Sequence, residues 1–230
     1  MKTGMIATLA GLALAGSASA SFVEFYTVKT QVTHVPTNTL LDIYKIYARF
    51  NGPTDTILNA FNLNGLAGAT MNGFYHQDNA SSASVLSTAF GTWNPALTGS
   101  ATLNRPYDSY LTIGGIASAT NGTSADPSWG SPLSWNRPDI PNNANAGWFA
   151  PGGSIAGRVG QAGNTVDSVI LGQFSVARDS TFGGGYSITI GYNSGVAGAP
   201  VQFANGFFLV PAPGAIALLG LAGLTGRRRR

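Results

Sequence analysis

Short segments in which apolar and polar residues alternate constrain the fold of this chain more than any other feature. The clearest is 186–192, where the apolar side chains recur at every second position: Tyr186, Ile188, Ile190 and Tyr192. A period of two places such side chains on one face of a β-strand. Other segments rich in Val, Ile, Tyr, Phe and Thr lie at 22–33, 40–50, 56–63, 107–113, 166–177 and 201–209. No long segment has the helical period, so the sequence predicts an all-β domain.

Turn residues support the same prediction. The dipeptide Asn-Gly, which tolerates positive φ and favours tight turns, occurs five times. Asn51-Gly52 separates two predicted strands, 40–50 and 56–63, and is the best candidate for a hairpin. Many short strands joined by such turns favour an antiparallel β-sandwich or a jelly roll.

Charge and cysteine content exclude several classes of protein. The chain has 230 residues, a net charge of +3 and no Cys. Without Cys it has no disulfide scaffold, no cysteine nucleophile and no thiolate metal site. Five of its 12 basic residues lie at the two ends, so the stretch 21–210 holds seven basic and all nine acidic residues, a net charge of −2. A mildly acidic body does not favour nucleic acid as a partner.

The first 20 residues have the layout of a secretory signal peptide. Lys2 gives a basic start, an apolar run from Met5 to Leu14 follows, and Ala18 and Ala20 form a small-x-small ending. The apolar run is shorter than the roughly 20 residues of a membrane-spanning helix. We therefore expect residues 1–20 to form a signal helix that signal peptidase removes, which leaves Ser21 as the first residue.

The last 21 residues contain three parts in a fixed order. Val210, Pro211, Ala212 and Pro213 form a stiff segment that excludes helix. Residues 214–226 are apolar and would form a short hydrophobic helix of about 20 Å, less than the roughly 30 Å of a bilayer core. The chain ends with four basic residues, Arg227, Arg228, Arg229 and Arg230. A permanent tail anchor is the plain alternative, but the length favours transient insertion.

This ending resembles the PEP-CTERM sorting signal of bacterial exported proteins, in which a Pro-x-Pro motif, a hydrophobic segment and an Arg cluster occur in the same order. Pro211 and Pro213 match the motif prolines, whereas Ala212 replaces the usual Glu. The resemblance implies recognition and removal by an exosortase-like membrane enzyme, and a link to bacteria that make extracellular polysaccharide. It covers residues 210–230 only and says nothing of the activity of residues 21–209.

Residues 114–165 differ from the rest of the body because strand patterning is weak there. They hold five Pro and three of the four Trp: Trp129, Trp135 and Trp148. Exposed indole rings stack on the apolar faces of sugars. These three Trp are therefore a candidate ligand platform for a carbohydrate-binding module, with packing at the end of the core as the alternative interpretation.

Catalytic and metal-binding patterns are weak in the body. One Glu and eight Asp are scattered, and surface turns are the expected place for the Asp residues. His34 and His76 lack the spacing of a zinc site, and we expect His76 in an exposed loop. The sequence predicts no catalytic residues, no metal site and no cofactor.

We therefore expect an exported protein of the cell surface or extracellular matrix, structural or adhesive and not an enzyme. Its partners would be signal peptidase, an exosortase-like enzyme and extracellular polysaccharide, with no nucleic acid. Before processing, the tail could tether it to the membrane. The alternatives are a carbohydrate-binding module and a secreted glycoside hydrolase, which would need two facing carboxyl groups.

Overall fold

The structure is a computed structural model that describes residues 21–69, 72–77, 86–89, 91–97, 106–141, 146–152, 154–161, 163–178 and 183–210. The predicted signal peptide, with Ala18 and Ala20, lies outside the described residues. So do residues 211–230 of the predicted sorting segment 210–230. Ser21, which follows the predicted signal peptide, is the first described residue, and Val210, which begins the predicted sorting segment, is the last.

The described residues form eleven β-strands and one turn of 3-10 helix. The strands are β1 (Phe22–His34), β2 (Thr39–Phe50), β3 (Thr56–Gly65), β4 (His76–Gln77), β5 (Leu86–Ser87), β6 (Tyr110–Leu111), β7 (Ser124–Ala125), β8 (Gly147–Phe149), β9 (Ser168–Ala177), β10 (Gly184–Asn193) and β11 (Gln202–Val210). The 3-10 helix is Pro127–Trp129.

Two main antiparallel sheets contain most of these strands. The first sheet has the strand order β1-β2-β9-β6, and the second has the order β11-β10-β3-β8-β7. A separate pair, β4 and β5, forms a two-stranded sheet. The prediction of an all-β, antiparallel domain is therefore confirmed. The strands β1 and β11 are edge strands, and they lie beside each other: the Thr27 hydroxyl donates a hydrogen bond to the Leu209 carbonyl at 2.7 Å.

The predicted hairpin at Asn51-Gly52 is wrong. The strand before it, β2, belongs to the first sheet, and the strand after it, β3, belongs to the second. The turn instead carries the chain from one sheet to the other, where the Gly52 N–H donates to the Asp55 carboxylate at 3.0 Å. The hairpins are β1–β2, paired from Phe22 with Phe50 to His34 with Thr39, and β10–β11.

A single hydrophobic cluster contains inward side chains of both main sheets. Tyr186, Ile188, Ile190 and Tyr192 all contribute to it and are 0–6% exposed, as the alternation in β10 predicted. Strand β9 is buried along nearly its whole length, and its Gln173 side chain donates to the Pro106 and Asp108 carbonyls of the segment before β6. Rings dominate the cluster: Phe74, Trp93, Trp129, Trp148 and Phe174 are fully buried.

Candidate interaction surface

The candidate platform of three Trp residues is wrong and the alternative interpretation, packing in the core, is confirmed, because all three side chains are buried. Trp129 is 0% exposed, and Trp135 and Trp148 are each 2% exposed. Trp129 packs edge to face against Trp93 at 5.3 Å and against Trp148 at 5.8 Å between ring centroids. These rings belong to the core, where burying such large apolar areas stabilises the fold. They cannot stack on a ligand from this position.

The indole N–H groups of two of these residues donate hydrogen bonds to backbone carbonyls of nearby residues. Trp148 donates to the Thr112 carbonyl at 3.1 Å, and Trp135 donates to the Pro132 carbonyl at 3.2 Å. Residues 114–165 are therefore a packed cover over the core rather than a binding loop formed by Trp.

Exposed aromatic residues occur elsewhere, on the outer face of the second sheet. In β10 the core side chains point one way, so Ser187, Thr189 and Gly191 lie on the opposite face. The strand register places Gly191 between Phe203 of β11 and Asn59 of β3. Cross-strand neighbours share a face of the sheet, so this outer face carries the following side chains: Phe203, Asn205, Phe207 and Leu209 of β11, Asn59 and Phe61 of β3, and Phe149 of β8.

The apolar side chains of this face are open to solvent. Phe203 is 65% exposed, Phe207 is 62% exposed and Leu209 is 57% exposed. Phe203 contacts the ring of Phe61 edge to face at 6.2 Å. A Cβ atom on Gly191 would lie 3.2 Å from the Phe203 ring, so the absence of a side chain there lets the ring lie close to the sheet. The result is a broad face on which the exposed Phe rings project beside residues with small side chains, such as Gly191.

The same sheet carries no charge. Its five strands, over the residues that the structure describes, contain no Asp, Glu, Lys or Arg. Edge strands usually carry a charge or a proline that discourages contact with other chains, and β11 has neither. At the rim of the face, Asp126 accepts hydrogen bonds from the Ser128 and Gly147 N–H groups.

Side-chain amides supply hydrogen-bonding groups within this uncharged face. The Asn205 carbonyl oxygen accepts from the Thr189 hydroxyl at 2.6 Å, and the Asn59 carbonyl oxygen accepts from the Gly191 N–H at 3.0 Å. These bonds orient both amides and engage their oxygens. Their NH2 groups each have two further hydrogens to donate.

A groove of about 570 Å³ between β1 and β11 continues this surface. It is lined by residues 22–27 and 206–209, and Phe207 and Leu209 belong to both the face and the groove. Its floor is formed where Phe25 packs against Gly206, whose Cβ would lie 2.7 Å from that ring.

The first sheet differs because its outer face is charged. Arg49 lies 2.7 Å from the Glu24 carboxylate and 3.5 Å from the Asp167 carboxylate, and it stacks over the Tyr26 ring at 4.8 Å. Hydrogen bonds from Ser168 and Thr165 lower the pKa of Asp167.

The prediction that the Asp residues occupy surface turns is wrong for three of them: Asp42, Asp55 and Asp108 are 0–2% exposed. Asp42 is neutralised by Lys29 at 2.8 Å. The prediction of an exposed His76 is also wrong, because its ring is fully buried beside Trp93. The Nδ1 atom of His76 lies 3.9 Å from Asp108 and within 3.3 Å of the Thr92 and Ser109 carbonyls. Burial lowers the pKa of His76 to about 4.

Within the described part of the chain, no three His, Asp or Glu side chains are grouped so that they could hold a metal ion. Over the same residues, no helix has the length and apolarity needed to span a bilayer. Comparisons of the chain with models of protein families, with curated proteins and with solved structures find no match.

Proposed function

We propose that the protein is an exported protein of the cell surface or extracellular matrix, of adhesive type, in which the two sheets pack as a β-sandwich. The observation that carries the proposal is the uncharged outer face of the second sheet with its exposed Phe203, Phe207 and Leu209. An apolar patch of this kind marks an interaction site more often than it marks ordinary surface.

The partner that this face fits is a neutral polysaccharide. Exposed rings stack on the C–H faces of sugars, and the Asn59 and Asn205 amides can donate to sugar hydroxyl groups. An apolar protein surface would bury these amides without partners, which costs about 1–3 kcal/mol for each unsatisfied group. The lack of charge on the strands favours a neutral polymer over an acidic one.

Four of the seven described acidic side chains form ion pairs with Lys or Arg, which favours a structural use of these groups over a catalytic one. The pairs are Glu24 and Asp167 with Arg49, Asp42 with Lys29, and Asp139 with Arg137. Asp78 and Asp179 lie outside the described residues. The secreted glycoside hydrolase stays an untested prediction.

Binding to immobilised neutral and acidic polysaccharides tests the proposed face. The double variant Phe203→Ala/Phe207→Ala should lose about tenfold in affinity for the neutral polymer, if each ring contributes about 0.7 kcal/mol, within the range of a single aromatic contact. Leu133→Ala is the control, because Leu133 is 83% exposed on a loop of the cover region. Equal binding by the double variant and the wild type would exclude this face. Self-association that requires Phe207, seen by light scattering, would identify a second copy as the partner instead.

The export part of the proposal concerns the two ends of the chain. It states that signal peptidase cuts between Ala20 and Ser21, and that an exosortase-like enzyme removes the segment after the Pro211–Pro213 motif. Intact-mass analysis of the protein recovered outside the cell measures both ends at once. A mass that retains residues 214–230 would contradict removal of the tail.

A further inference from the structure

The residue expected to begin the mature chain lies against a buried carboxyl group. Asp55, just before β3, is 2% exposed. The main-chain N–H of Ser21 donates a hydrogen bond to its carboxylate, and so does the N–H of Gly52 at 3.0 Å. The Ser21 carbonyl in turn accepts from the Asn51 N–H at 3.2 Å. Ser21 is thus held on both sides of its α-carbon by the turn that joins the two sheets.

No basic side chain neutralises Asp55 among the described residues: none lies within ion-pair distance of its carboxylate. Arg158, on the neighbouring loop, instead donates to the Gly195 carbonyl at 3.0 Å. The other charged groups near the start of β1 form their own cluster, in which Arg49 joins Glu24 and Asp167.

A buried carboxylate without a cation destabilises the fold, and burial raises the pKa of Asp55 accordingly. Position 52 has no room for a side chain, since a Cβ atom on Gly52 would lie 2.6 Å from Asp55 Oδ1. A charge on the Ser21 nitrogen needs no new space, because its N–H already donates to the carboxylate.

We propose that removal of residues 1–20 creates an ion pair between the α-ammonium group of Ser21 and the Asp55 carboxylate. In the cleavage, water adds its hydroxyl to the carbonyl carbon of Ala20 and a proton to the Ser21 nitrogen. The amine then takes a second proton at neutral pH. The N–H that already faces Asp55 becomes part of a cation, and a charge-assisted bond replaces a neutral one.

Signal cleavage would therefore complete the fold. The ion pair connects Ser21, the residue before β1, to the turn before β3, and so links the first sheet to the second. The precursor has the same contacts with an amide in place of the ammonium, so its fold should be less stable than that of the mature chain. This inference rests on the cleavage after Ala20 that belongs to the proposed function.

Two forms of the chain, one that starts at Ser21 and one that retains Ala20, test the ion pair. Both extend to Arg230 and are released by a tag protease that leaves no extra residue. The form that starts at Ser21 should unfold at a temperature about 4 °C higher. The same comparison with the substitution Asp55→Asn in both forms should abolish the difference. Equal unfolding temperatures, or a difference that persists when both forms carry Asp55→Asn, would overturn the proposal.

The titration of the Ser21 amine provides a second measurement that does not depend on a variant that folds poorly. In the wild-type chain its pKa should lie about one unit or more above the usual 7.7–8.0 of an α-amino group. While Asp55 is ionised, the stabilisation is fully present below the usual pKa of the amine and is lost as the pH rises through the higher value. Acetylation of the amine should remove it, and an unshifted amine pKa would contradict the ion pair.

These two tests do not depend on cleavage of the signal peptide after Ala20 in the cell. The N-terminal residue of the exported protein, read by sequencing or mass, tests the cleavage site separately. A different first residue with a confirmed ion pair would count against the proposed export route only. Cleavage after Ala20 without the stability difference would count against the ion pair only.

Discussion

The imidazole ring of His76 meets the indole ring of Trp93 edge to face inside the core, with 4.4 Å between their centroids. Both side chains are fully buried. A protonated imidazole in this place would be a buried ion beside the Trp93 ring, with the Asp108 carboxylate 3.9 Å from Nδ1. Burial of this pair should therefore make the fold less stable in acid.

The free energy of unfolding should fall as the pH is lowered from about 6.5 to 4. His76 has its pKa lowered to about 4 in the fold by burial, whereas the unfolded chain titrates near 6.5. Its contribution is thus fully present above pH 6.5 and is lost as the pH falls towards 4, by about 3 kcal/mol in all. Denaturant unfolding at several pH values measures this slope. His76→Phe should remove most of it, and a wild-type stability independent of pH over this range would contradict the buried neutral ring.

Two neighbouring residues of β11 should respond very differently to truncation. Phe208 is 2% exposed and stacks on Tyr186 at 5.4 Å, so Phe208→Ala should cost about 3–5 kcal/mol of stability. Phe207 is 62% exposed on the outer face, so Phe207→Ala should change stability by less than about 0.5 kcal/mol. Thermal or denaturant unfolding of the two variants decides this. Similar losses at both positions would mean that β11 is in a different register.

Gly157 should not tolerate a methyl group. A Cβ atom there would overlap the carbonyl oxygen of Ile57, and the Gly157 carbonyl itself accepts from the Ile57 N–H at 2.8 Å. Gly157→Ala should therefore destabilise the fold by about 3 kcal/mol, because the loop must move away from β3. Gly152→Ala is the matched control, since nothing lies within 4 Å of its Cβ position. Equal stability of the two variants would disprove this close approach.

Asp126 should contribute more to stability than the partly exposed acid Asp139. The Asp126 carboxylate caps the 3-10 helix by accepting from the Ser128 N–H, and it also accepts from the Gly147 N–H of β8. Asp126→Ala should cost about 2 kcal/mol, because it leaves two N–H groups without their acceptor. Asp139 forms a surface ion pair with Arg137, so Asp139→Ala should cost less than about 1 kcal/mol. The reverse order in an unfolding experiment would contradict the capping role.

The alternation of apolar residues predicted the strands well because it depends only on local geometry. In β10 every apolar residue of the 186–192 segment points to the core, and the same rule placed the body of the chain in the all-β class. The hairpin at Asn51-Gly52 failed because a turn dipeptide fixes a local bend and not the partner of the strand that follows. The chain changes sheets there, and Asp55 binds the turn.

The interaction surface was harder to predict than the strands. An indole ring can pack in a core or stack on a sugar, so the sequence was compatible with both uses of Trp129, Trp135 and Trp148. Only their burial in the folded structure distinguishes the two. The signal that could have found the outer face was present in β11, where Phe203 and Phe207 alternate without a nearby charge. Only the tertiary structure decides which face of β11 is exposed, since alternation is compatible with either face being buried.

The sequence by itself determined what does not depend on distant contacts: the β class, the mildly acidic body and the absence of thiol chemistry. The processing segments at both ends stay predictions. The tertiary structure decided which aromatic rings are buried, which face of the second sheet is open, and that Ser21 lies against the Asp55 carboxylate. The physical reason is that pattern and charge are properties of neighbouring residues. Burial, register and the environment of a carboxyl group arise only when segments far apart in the chain pack together.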